Sequence, residues 1–397
     1  MSQPQDPVVI VGIARTPMGA FQGELSSFTA SDLGQFAIRA ALERAKVKPG
    51  DVDDVLMGCV LPAGQGQAPA RQAAIKAGIP DSTGATTINK MCGSGMKAVM
   101  LAHDNILAGS ASVMVAGGME SMTNAPYLLD KARGGLRMGH GKVMDHMFLD
   151  GLEDAYDKGK LMGVFADDTA RTHQITRGDQ DNFALASLAR AQEATKSGAF
   201  AAEIAPLSIK AKDGETVISE DESPKKAKPE KIPSLKPAFG ADGTVTAATS
   251  SSISDGAAAI VLMRKSEAEK RGLKILATIK GHASHAQKPA EFTIAPIGAT
   301  QKLFAKTGWT AKDVDLFEIN EAFAVVTLAA MKELNLPHEK VNVNGGACAL
   351  GHPIGATGAR IIVTLLSALE KRGLKKGVAS LCIGGGEATA IAIERAA

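Results

Sequence analysis

A chain of 397 residues is long enough for two or three domains, and its 45% apolar and 22% charged residues are ordinary for a globular protein. The net charge of +2 gives no sign of a nucleic-acid partner, and without a run of 18 or more apolar residues no membrane-spanning helix is expected. The first residues lack a basic and then apolar targeting segment, so we expect a cytoplasmic location. In that reducing compartment four cysteines are expected as free thiols: Cys59, Cys92, Cys348 and Cys382.

The first 120 residues alternate between strand and helix patterns. Short apolar runs indicate strands, and apolar stripes at helical spacing indicate helices. In chain order the predictions are strand 8–12, helix 33–45, strand 51–58, helix 71–77, a helix from Cys92 to about residue 107 that ends at Gly109, and strand 113–119. Strands that alternate with helices predict an α/β fold with a largely parallel sheet.

From about residue 121 to residue 250 the pattern changes. Glycines, methionines and charged residues intermix, and one clear helix is predicted over residues 177–196. Residues 223–236 are rich in proline and lysine and predict an exposed, irregular basic connection. The whole stretch therefore reads as an insertion.

The α/β pattern then returns and repeats the first half. The offsets are 262 residues from Asp51 to Asp313 and 265 residues from Val113 to Val378. A glycine-rich turn before a helix over residues 356–371 likewise matches the Cys92 turn and its helix. Near-equal offsets across successive elements predict two similar α/β halves, with residues 121–250 inserted before the first half completes its sheet.

Cys92 lies in a stretch where an apolar run is followed by Gly93 and Gly95 and then by a helical pattern. Unpaired backbone N–H groups at the start of a helix favour a thiolate, so this position predicts a lowered pKa for Cys92. The glycines leave room for a substrate to approach the backbone. On these residues alone, a buried structural cysteine fits as well as a nucleophile.

The second half places polar groups at corresponding positions. The turn Gly351-His352-Pro353 is equivalent to the Cys92 turn, and two such turns meeting across a pseudo-twofold axis would bring the thiol and an activating histidine together. Cys382 ends the last predicted strand before Gly384, and Asn320 ends an earlier one. Since ligands bind at the C-terminal edge of such sheets, we expect these groups to share a site.

Four sequence motifs occur in order along the chain. They are Asn89-Lys-Met-Cys-Gly-Ser-Gly, Asn320-Glu-Ala-Phe-Ala, Gly345-Gly-Ala-Cys-Ala-Leu-Gly-His-Pro-Ile-Gly-Ala-Thr-Gly-Ala-Arg and Leu381-Cys-Ile-Gly-Gly-Gly. With Ala116-Gly-Gly-Met-Glu-Ser-Met, they resemble the thiolase family over nearly the whole chain, and its acetyl-CoA acetyltransferase (acetoacetyl-CoA thiolase) type in particular.

The resemblance implies a fold of duplicated α/β halves, layered α-β-α-β-α, with mixed, largely parallel sheets. The N-terminal half would comprise residues 1–120, completed by 251–274. Residues 121–250 would form an inserted loop domain for coenzyme A binding and tetramerisation, and residues 275–397 would form the C-terminal half.

The resemblance also implies catalytic roles. Cys92 would be the nucleophile that carries the acyl group, and His352 would be its base and a donor to an enolate oxygen. Cys382 would transfer the proton of the second substrate's methyl group. Asn320 would hold a water at an oxyanion site, and the backbone N–H groups of Cys92 and Gly384 would form a second oxyanion hole.

Coenzyme A contacts are implied at Met162, Lys225, Ala247, Ser251 and Phe323. No tightly bound cofactor and no metal are expected, because acetyl-CoA, acetoacetyl-CoA and CoA are substrates and products. The family pattern further implies a homotetramer, a dimer of dimers joined through residues 121–146. Nothing in the sequence suggests a nucleic-acid or membrane partner.

The implied reaction is the reversible Claisen condensation of two acetyl-CoA to acetoacetyl-CoA and CoA, or thiolysis of short 3-ketoacyl-CoA. Residues 249–256 are closer to degradative members, so a 3-ketoacyl-CoA thiolase of broader chain length stays an alternative. A ketoacyl-synthase-like condensing enzyme is disfavoured by Cys382, since those enzymes pair one cysteine with His and His or Asn. A non-catalytic acyl-CoA carrier is disfavoured by intact Cys92, His352 and Cys382, and a Cys-His protease by the duplicated frame.

Overall fold

The computed structural model describes residues 6–211 and 214–395. Its strands are β1 (Val8–Arg15), β2 (Gly19–Ala20), β3 (Asp54–Gly58), β4 (Gly84–Ile88), β5 (Val113–Ser121), β6 (Tyr127–Leu129), β7 (Val143–Asp145), β8 (Leu207–Ala211), β9 (Gly214–Ile218), β10 (Ser254–Arg264), β11 (Ala277–Ala286), β12 (Leu316–Ile319), β13 (Lys376–Ile383) and β14 (Glu387–Arg395). Its α-helices are α1 (Ala30–Ala45), α2 (Pro69–Lys76), α3 (Ser94–Ala108), α4 (Met162–Thr172), α5 (Arg177–Lys196), α6 (Glu222–Lys226), α7 (Lys265–Lys270), α8 (Ala295–Thr307), α9 (Ala324–Leu334), α10 (Ala347–Leu350) and α11 (Thr357–Lys371).

The strands and helices predicted for the first 120 residues are all present. Helix α1 begins three residues before the predicted start because Thr29 caps it: the Thr29 side chain accepts the N–H of Asp32, and the Asp32 carboxylate accepts the N–H of Thr29. Helix α3 ends with Gly109 in the left-handed conformation, as the sequence predicts. The helix predicted over residues 177–196 is α5.

One large sheet runs through the molecule in the order β12-β13-β14-β11-β1-β10-β5-β3-β4, and β2 pairs with β10. The pairs β5–β3, β3–β4 and β12–β13 are parallel. The other pairs are antiparallel. The expected mixed sheet is therefore present, with its parallel pairs at the outer strands of each half and antiparallel pairs at its centre.

The strand order repeats on either side of the β1–β11 junction. Outward from it lie β1-β10-β5-β3 on one side and β11-β14-β13-β12 on the other. Beyond β3 lies β4, and at the corresponding place beyond β12 a single parallel bridge joins Phe317 to Val341. The repeat deduced from sequence offsets is thus visible in the strand order, while the exact domain boundaries stay a prediction.

The helices form three layers around the two halves of this sheet. Helices α1 and α2 pack on the outer face of the first half, and α8 and α9 on the outer face of the second. Helices α3 and α11 lie between the halves and fill the apolar centre of the molecule. The layered arrangement expected from the family resemblance is confirmed.

Helices α3 and α11 approach closely where both begin. A Cβ atom on Gly95 would lie 2.8 Å from the backbone nitrogen of Ala359, and one on Gly358 would lie 2.4 Å from that of Met96. Only glycine permits backbones to come this close. The crossing therefore brings the turns that precede the two helices to one place.

The inserted residues form the hairpins β6–β7 and β8–β9 and the helices α4 to α6. The prediction of an exposed, irregular connection over residues 223–236 is wrong in part. Pro224 and Ile232 are buried, and at the start of α6 the carboxylate of Glu222 accepts the N–H groups of Ala20 and Glu24. The lysine-rich composition of this stretch gave no indication of these contacts. Within the described parts of the chain, no helix has the length and apolar character to cross a membrane.

Candidate active site

Cys92 lies in the turn between β4 and α3, two residues before the helix begins. The hydroxyl of Ser94 donates to the carbonyl of Met91, 2.6 Å away, and Met91 has a φ of +47°. The turn packs tightly on the end of β13, because a Cβ atom on Gly93 would lie 2.4 Å from Cδ1 of Ile383. The predicted nucleophile of the first half therefore lies in a turn that packs on a strand of the second half.

The pKa predicted for Cys92 from its position near a helix start is wrong. Burial of the sulfur raises the pKa to about 11, although hydrogen bonds from the backbone N–H groups of Gly384 and of Cys92 itself oppose the rise. The charge of Glu120 raises it further. Because Cys92 precedes the first helical turn and is covered by the other half, desolvation outweighs the helix field. The resting group at neutral pH is therefore a thiol.

A second thiol lies beside the first. Cys382 is 1% exposed and packs with Phe292 and Phe323 near the end of β13. Burial and the charge of Cys92 raise the pKa of Cys382 well above its usual range. Two residues further on, Gly384 directs its N–H at the Cys92 sulfur. The structure thus brings Cys92, Cys382 and Gly384 together.

His352 lies in the turn before α11 and is 6% exposed. Its Nδ1 is 2.6 Å from the hydroxyl oxygen of Thr357, and its Nε2 has no protein partner among the described residues. Burial and the positive charge of Arg360 lower the pKa of His352 to about 3, so the imidazole is neutral. Ile354, two residues later, belongs to the apolar cluster against which Cys92 packs, so both turns border the same cluster.

Asn320 follows β12 directly and is 1% exposed. Its backbone N–H donates to the carbonyl of Ser380 on β13, at 3.0 Å. Neither its Oδ1 nor its Nδ2 has a partner within residues 6–211 and 214–395, so both can face a substrate or a water. The adjacent carboxylate of Glu321 fixes this loop by accepting from Asn342 at 2.8 Å and Ser187 at 2.7 Å.

Glu120 is a buried residue for which the sequence analysis predicted no role. Its carboxylate accepts the backbone N–H groups of Val60 at 2.9 Å, Leu61 at 3.1 Å and Gly355 at 2.9 Å. Burial raises the pKa of Glu120 to about 7 against these hydrogen bonds. The available signal was an acidic residue at the end of an otherwise apolar strand, since a buried carboxylate needs partners.

A cleft of about 200 Å³ lies between α4 and the loop before β10, and its wall includes Phe323, which belongs to the same apolar cluster as Cys382. Three of the predicted coenzyme A contacts line it: Met162, Ser251 and Phe323. Ala247 is exposed and does not line this cleft, and neither does Lys225, which pairs with Glu220 at 3.4 Å. All five coenzyme A contacts stay predictions, of which three share one cleft.

This arrangement suits acyl transfer between thiols. An acyl group on the Cys92 sulfur would have its oxygen near a backbone donor, and a neutral imidazole can accept the thiol proton. A second thiol and an apolar cleft are close by. Fold and site together fit an acyltransferase built from two α/β halves.

The chain belongs to the thiolase family. The family model of the thiolase N-terminal domain matches residues 8–266, and that of the thiolase C-terminal domain matches residues 273–395. The family resemblance of the sequence motifs is thereby confirmed.

Known relatives are similar over nearly their full length. Acetyl-CoA acetyltransferase 2 of Arabidopsis thaliana is 52% identical, over 98% of this chain and 97% of its own length. An acetyl-CoA acetyltransferase of Cupriavidus necator is 50% identical, over 98% and 99%. The crystal structure of Acat5 thiolase from Ascaris suum in complex with coenzyme A matches with a TM-score of 0.93 and 41% identity, over 98% of this chain and 100% of that chain.

Proposed function

We propose that this chain is an acetyl-CoA C-acetyltransferase, which condenses two acetyl-CoA to acetoacetyl-CoA and CoA and also catalyses the reverse thiolysis. The observation that carries the proposal is the pair of neighbouring thiols, with the N–H of Gly384 directed at the sulfur of Cys92. Relatives named acetyl-CoA acetyltransferase at about half identity over the full length support it. No tightly bound cofactor or metal enters the reaction.

In the first half-reaction the Cys92 sulfur attacks the thioester carbonyl of acetyl-CoA while its proton moves to Nε2 of His352. The tetrahedral oxyanion accepts the N–H groups of Gly384 and Cys92. Its collapse releases CoA sulfur, which takes the proton of Cys382. The products are acetyl-Cys92, CoA, a Cys382 thiolate and a protonated His352.

In the second half-reaction the Cys382 thiolate removes a methyl proton from a second acetyl-CoA. A thiol of raised pKa is a strong base once ionised, which suits this weakly acidic proton. His352 and a water on Asn320 would stabilise the enolate oxygen. The enolate carbon attacks acetyl-Cys92, acetoacetyl-CoA forms, and the departing sulfur regains its proton from His352. All protons return to their starting groups.

The surroundings of Cys382 favour short acyl chains. Rings of Phe165 and Phe292 meet edge to face at 6.4 Å, and those of Phe239 and Phe323 at 5.9 Å, within the cluster that contains Cys382. A long acyl chain would have to displace these rings. The alternative of a degradative thiolase with broader chain length is tested by comparing kcat/KM for C4, C6 and C8 3-ketoacyl-CoA, where we expect C4 to be preferred.

The decisive experiment is CoA-dependent cleavage of acetoacetyl-CoA, followed by the loss of its absorbance. We expect rapid cleavage by the wild type, none by Cys92→Ala, and little change for Cys348→Ala, which removes a thiol outside the proposed site. A wild type no more active than Cys92→Ala would overturn the proposed function.

We also propose that the chain assembles as a dimer of dimers. The β6–β7 region carries exposed apolar side chains, and β4 ends the sheet of the described residues with one edge unpaired, where a second copy could add. The exposed apolar residues are Tyr127, Leu129, Leu136, Met138 and Val143. Light scattering should give a tetramer for the wild type and a dimer when Tyr127 and Val143 are changed to Ser; tetramers of both would contradict this role of residues 121–146.

A cytoplasmic location is likewise a proposal. Its support is that the cysteines of the described residues are all free, as thiols are in a reducing compartment. Fluorescence microscopy of the tagged chain in its source cells tests it, and signal confined to an organelle would contradict it.

A further inference from the structure

Thr357, the first residue of α11, connects to both the ring and the backbone of the His352 turn. Its hydroxyl oxygen is 2.6 Å from Nδ1 of His352 and 3.0 Å from the carbonyl oxygen of Pro353. The residue is 0% exposed, so bulk water does not compete for either contact. These two contacts decide where the proton of the imidazole lies.

A hydroxyl group carries one proton, and a carbonyl oxygen can only accept. If Thr357 donates to Pro353, its oxygen must accept from Nδ1–H of His352. If Thr357 instead donated to Nδ1, the contact with Pro353 would hold two acceptors and no proton. Only the first arrangement makes both contacts hydrogen bonds.

We propose that Thr357 is a positioning residue that holds neutral His352 as the Nδ1–H tautomer, leaving the lone pair on Nε2. This inference rests on the proposed function, in which Nε2 takes the proton of Cys92. Nε2 is buried and has no protein partner in the described residues, so its lone pair is free to accept a proton. A ring with its proton on Nε2 could not act as this base.

Two other interactions of the His352 turn do not orient the imidazole ring. The backbone N–H of His352 donates to the carbonyl of Ser252 at 3.1 Å, which fixes the main chain but not the ring. Arg360, one turn along α11, pairs with Glu318 at 3.0 Å and acts on the ring through its charge. Among the described residues, Thr357 supplies the side-chain hydrogen bond to the imidazole.

The test compares Thr357→Val, which keeps the shape and removes the hydroxyl, with Thr357→Ser, which restores it. We expect kcat for acetoacetyl-CoA thiolysis to fall roughly 100-fold in the valine variant, with KM for CoA within about 2-fold, because general-base catalysis is lost while binding is not. The serine variant should recover to within about 5-fold of the wild type. The alkylation rate of Cys92 by iodoacetamide at pH 7 should fall and recover in parallel.

Thr364→Val is the matched control. It removes a buried hydroxyl from the same helix, where Thr364 donates to Glu203 at 3.0 Å, and should lower the Tm without lowering kcat. The inference is wrong if Thr357→Val keeps wild-type kcat, or if Thr357→Ser, folded by circular dichroism, is as slow as the valine variant. An inactive wild type would instead overturn the proposed function, so the two failures are distinguishable.

Discussion

The turn of Cys92 in the first half and the turn of His352 in the second occupy equivalent places but are held in opposite ways. The Cys92 turn receives a backbone donor, Gly384, from the second half. The His352 turn is anchored through Gly355 by a carboxylate, Glu120, from the first half. Each half therefore supplies one of the two groups proposed to react, and also a contact that holds the group of the other half. The duplication brings the two equivalent turns together, and sequence differences between the halves give each turn a different side chain.

The largest effect is expected when either reacting group is removed. Cys92→Ala should lower kcat by ~10⁴-fold or more, as loss of a nucleophile does elsewhere. His352→Ala should cost roughly 10²–10⁴-fold, because a thiol of pKa about 11 is rarely ionised without a base. Mass spectrometry after mixing with acetyl-CoA should detect acetylated protein only when Cys92 is present. Acetylation at another residue in Cys92→Ala would contradict its role.

Removal of Cys382 should distinguish the function of this thiol from that of Cys92. Cys382→Ala should lower thiolysis by roughly 10²–10⁴-fold and abolish deuterium exchange into the methyl group of acetyl-CoA. Alkylation of Cys92 by iodoacetamide should persist, since its base is His352. If alkylation disappeared together with exchange, the assignment of separate tasks to the two thiols would be incorrect.

Glu120→Gln tests the support that the first half gives to the second. The change keeps the shape but replaces one acceptor oxygen with a donor that faces backbone N–H groups. A hydrogen bond to a charged group contributes about 1.5–3 kcal/mol, so we expect kcat to fall roughly 10- to 100-fold as the His352 turn shifts. Asp255→Asn, also at a buried carboxylate, serves as the control. Equal losses in both variants would argue against a specific anchor.

Glu120 and His352 should give opposite pH dependences of stability. Between pH 4.5 and about 7 native Glu120 holds its proton and the unfolded residue does not, so the unfolding free energy should fall by roughly 3 kcal/mol as pH rises. Between pH 6.5 and about 3 the unfolded His352 binds a proton and the native one does not, so it should fall by roughly 5 kcal/mol as pH drops. Urea unfolding of wild type, Glu120→Gln and His352→Gln over this range checks both slopes. Parallel slopes would refute the assignments.

The smallest effect concerns the partly exposed ion pair of Lys90 and Glu387, which also joins the halves near Cys92. Because solvent screens such a pair, Lys90→Met should change stability by about 1 kcal/mol or less. If a similarly small energy is lost from the transition state, kcat should stay within about 3-fold of the wild type. A double-mutant cycle with Glu387→Gln measures the coupling, and a coupling that does not weaken in high salt would show that the pair is more than a surface contact.

Much of this frame was predictable because it depends on local signals. The apolar stripe of residues 33–45, the glycine at 109 and the near-equal offsets each follow from neighbouring residues or from simple comparison along the chain. The positions of Cys92 and His352 at equivalent turns followed from the repeat. Their roles came from the family resemblance and are predictions that the Cys92 and His352 variants test.

What the sequence did not provide were contacts between distant residues. The pKa of Cys92 was predicted in the wrong direction because its covering strand comes from the other half. Glu120 lies in a recognisable motif, yet its partner Gly355 is 235 residues away. The lysine-rich composition of residues 223–236 likewise gave no indication that Pro224 is buried. Desolvation and long-range hydrogen bonds depend on which surfaces meet, and residue type alone does not give that.

The position of β10 between β1 and β5 has a consequence for synthesis on the ribosome. Residues 8–121 emerge with two strands that must wait for Ser254–Arg264 before they are joined, so the whole insertion leaves the exit tunnel first. During that interval the edges of β1 and β5 are open to wrong partners. Nascent chains stalled before residue 254 should therefore bind chaperones, and release should follow once β10 has emerged.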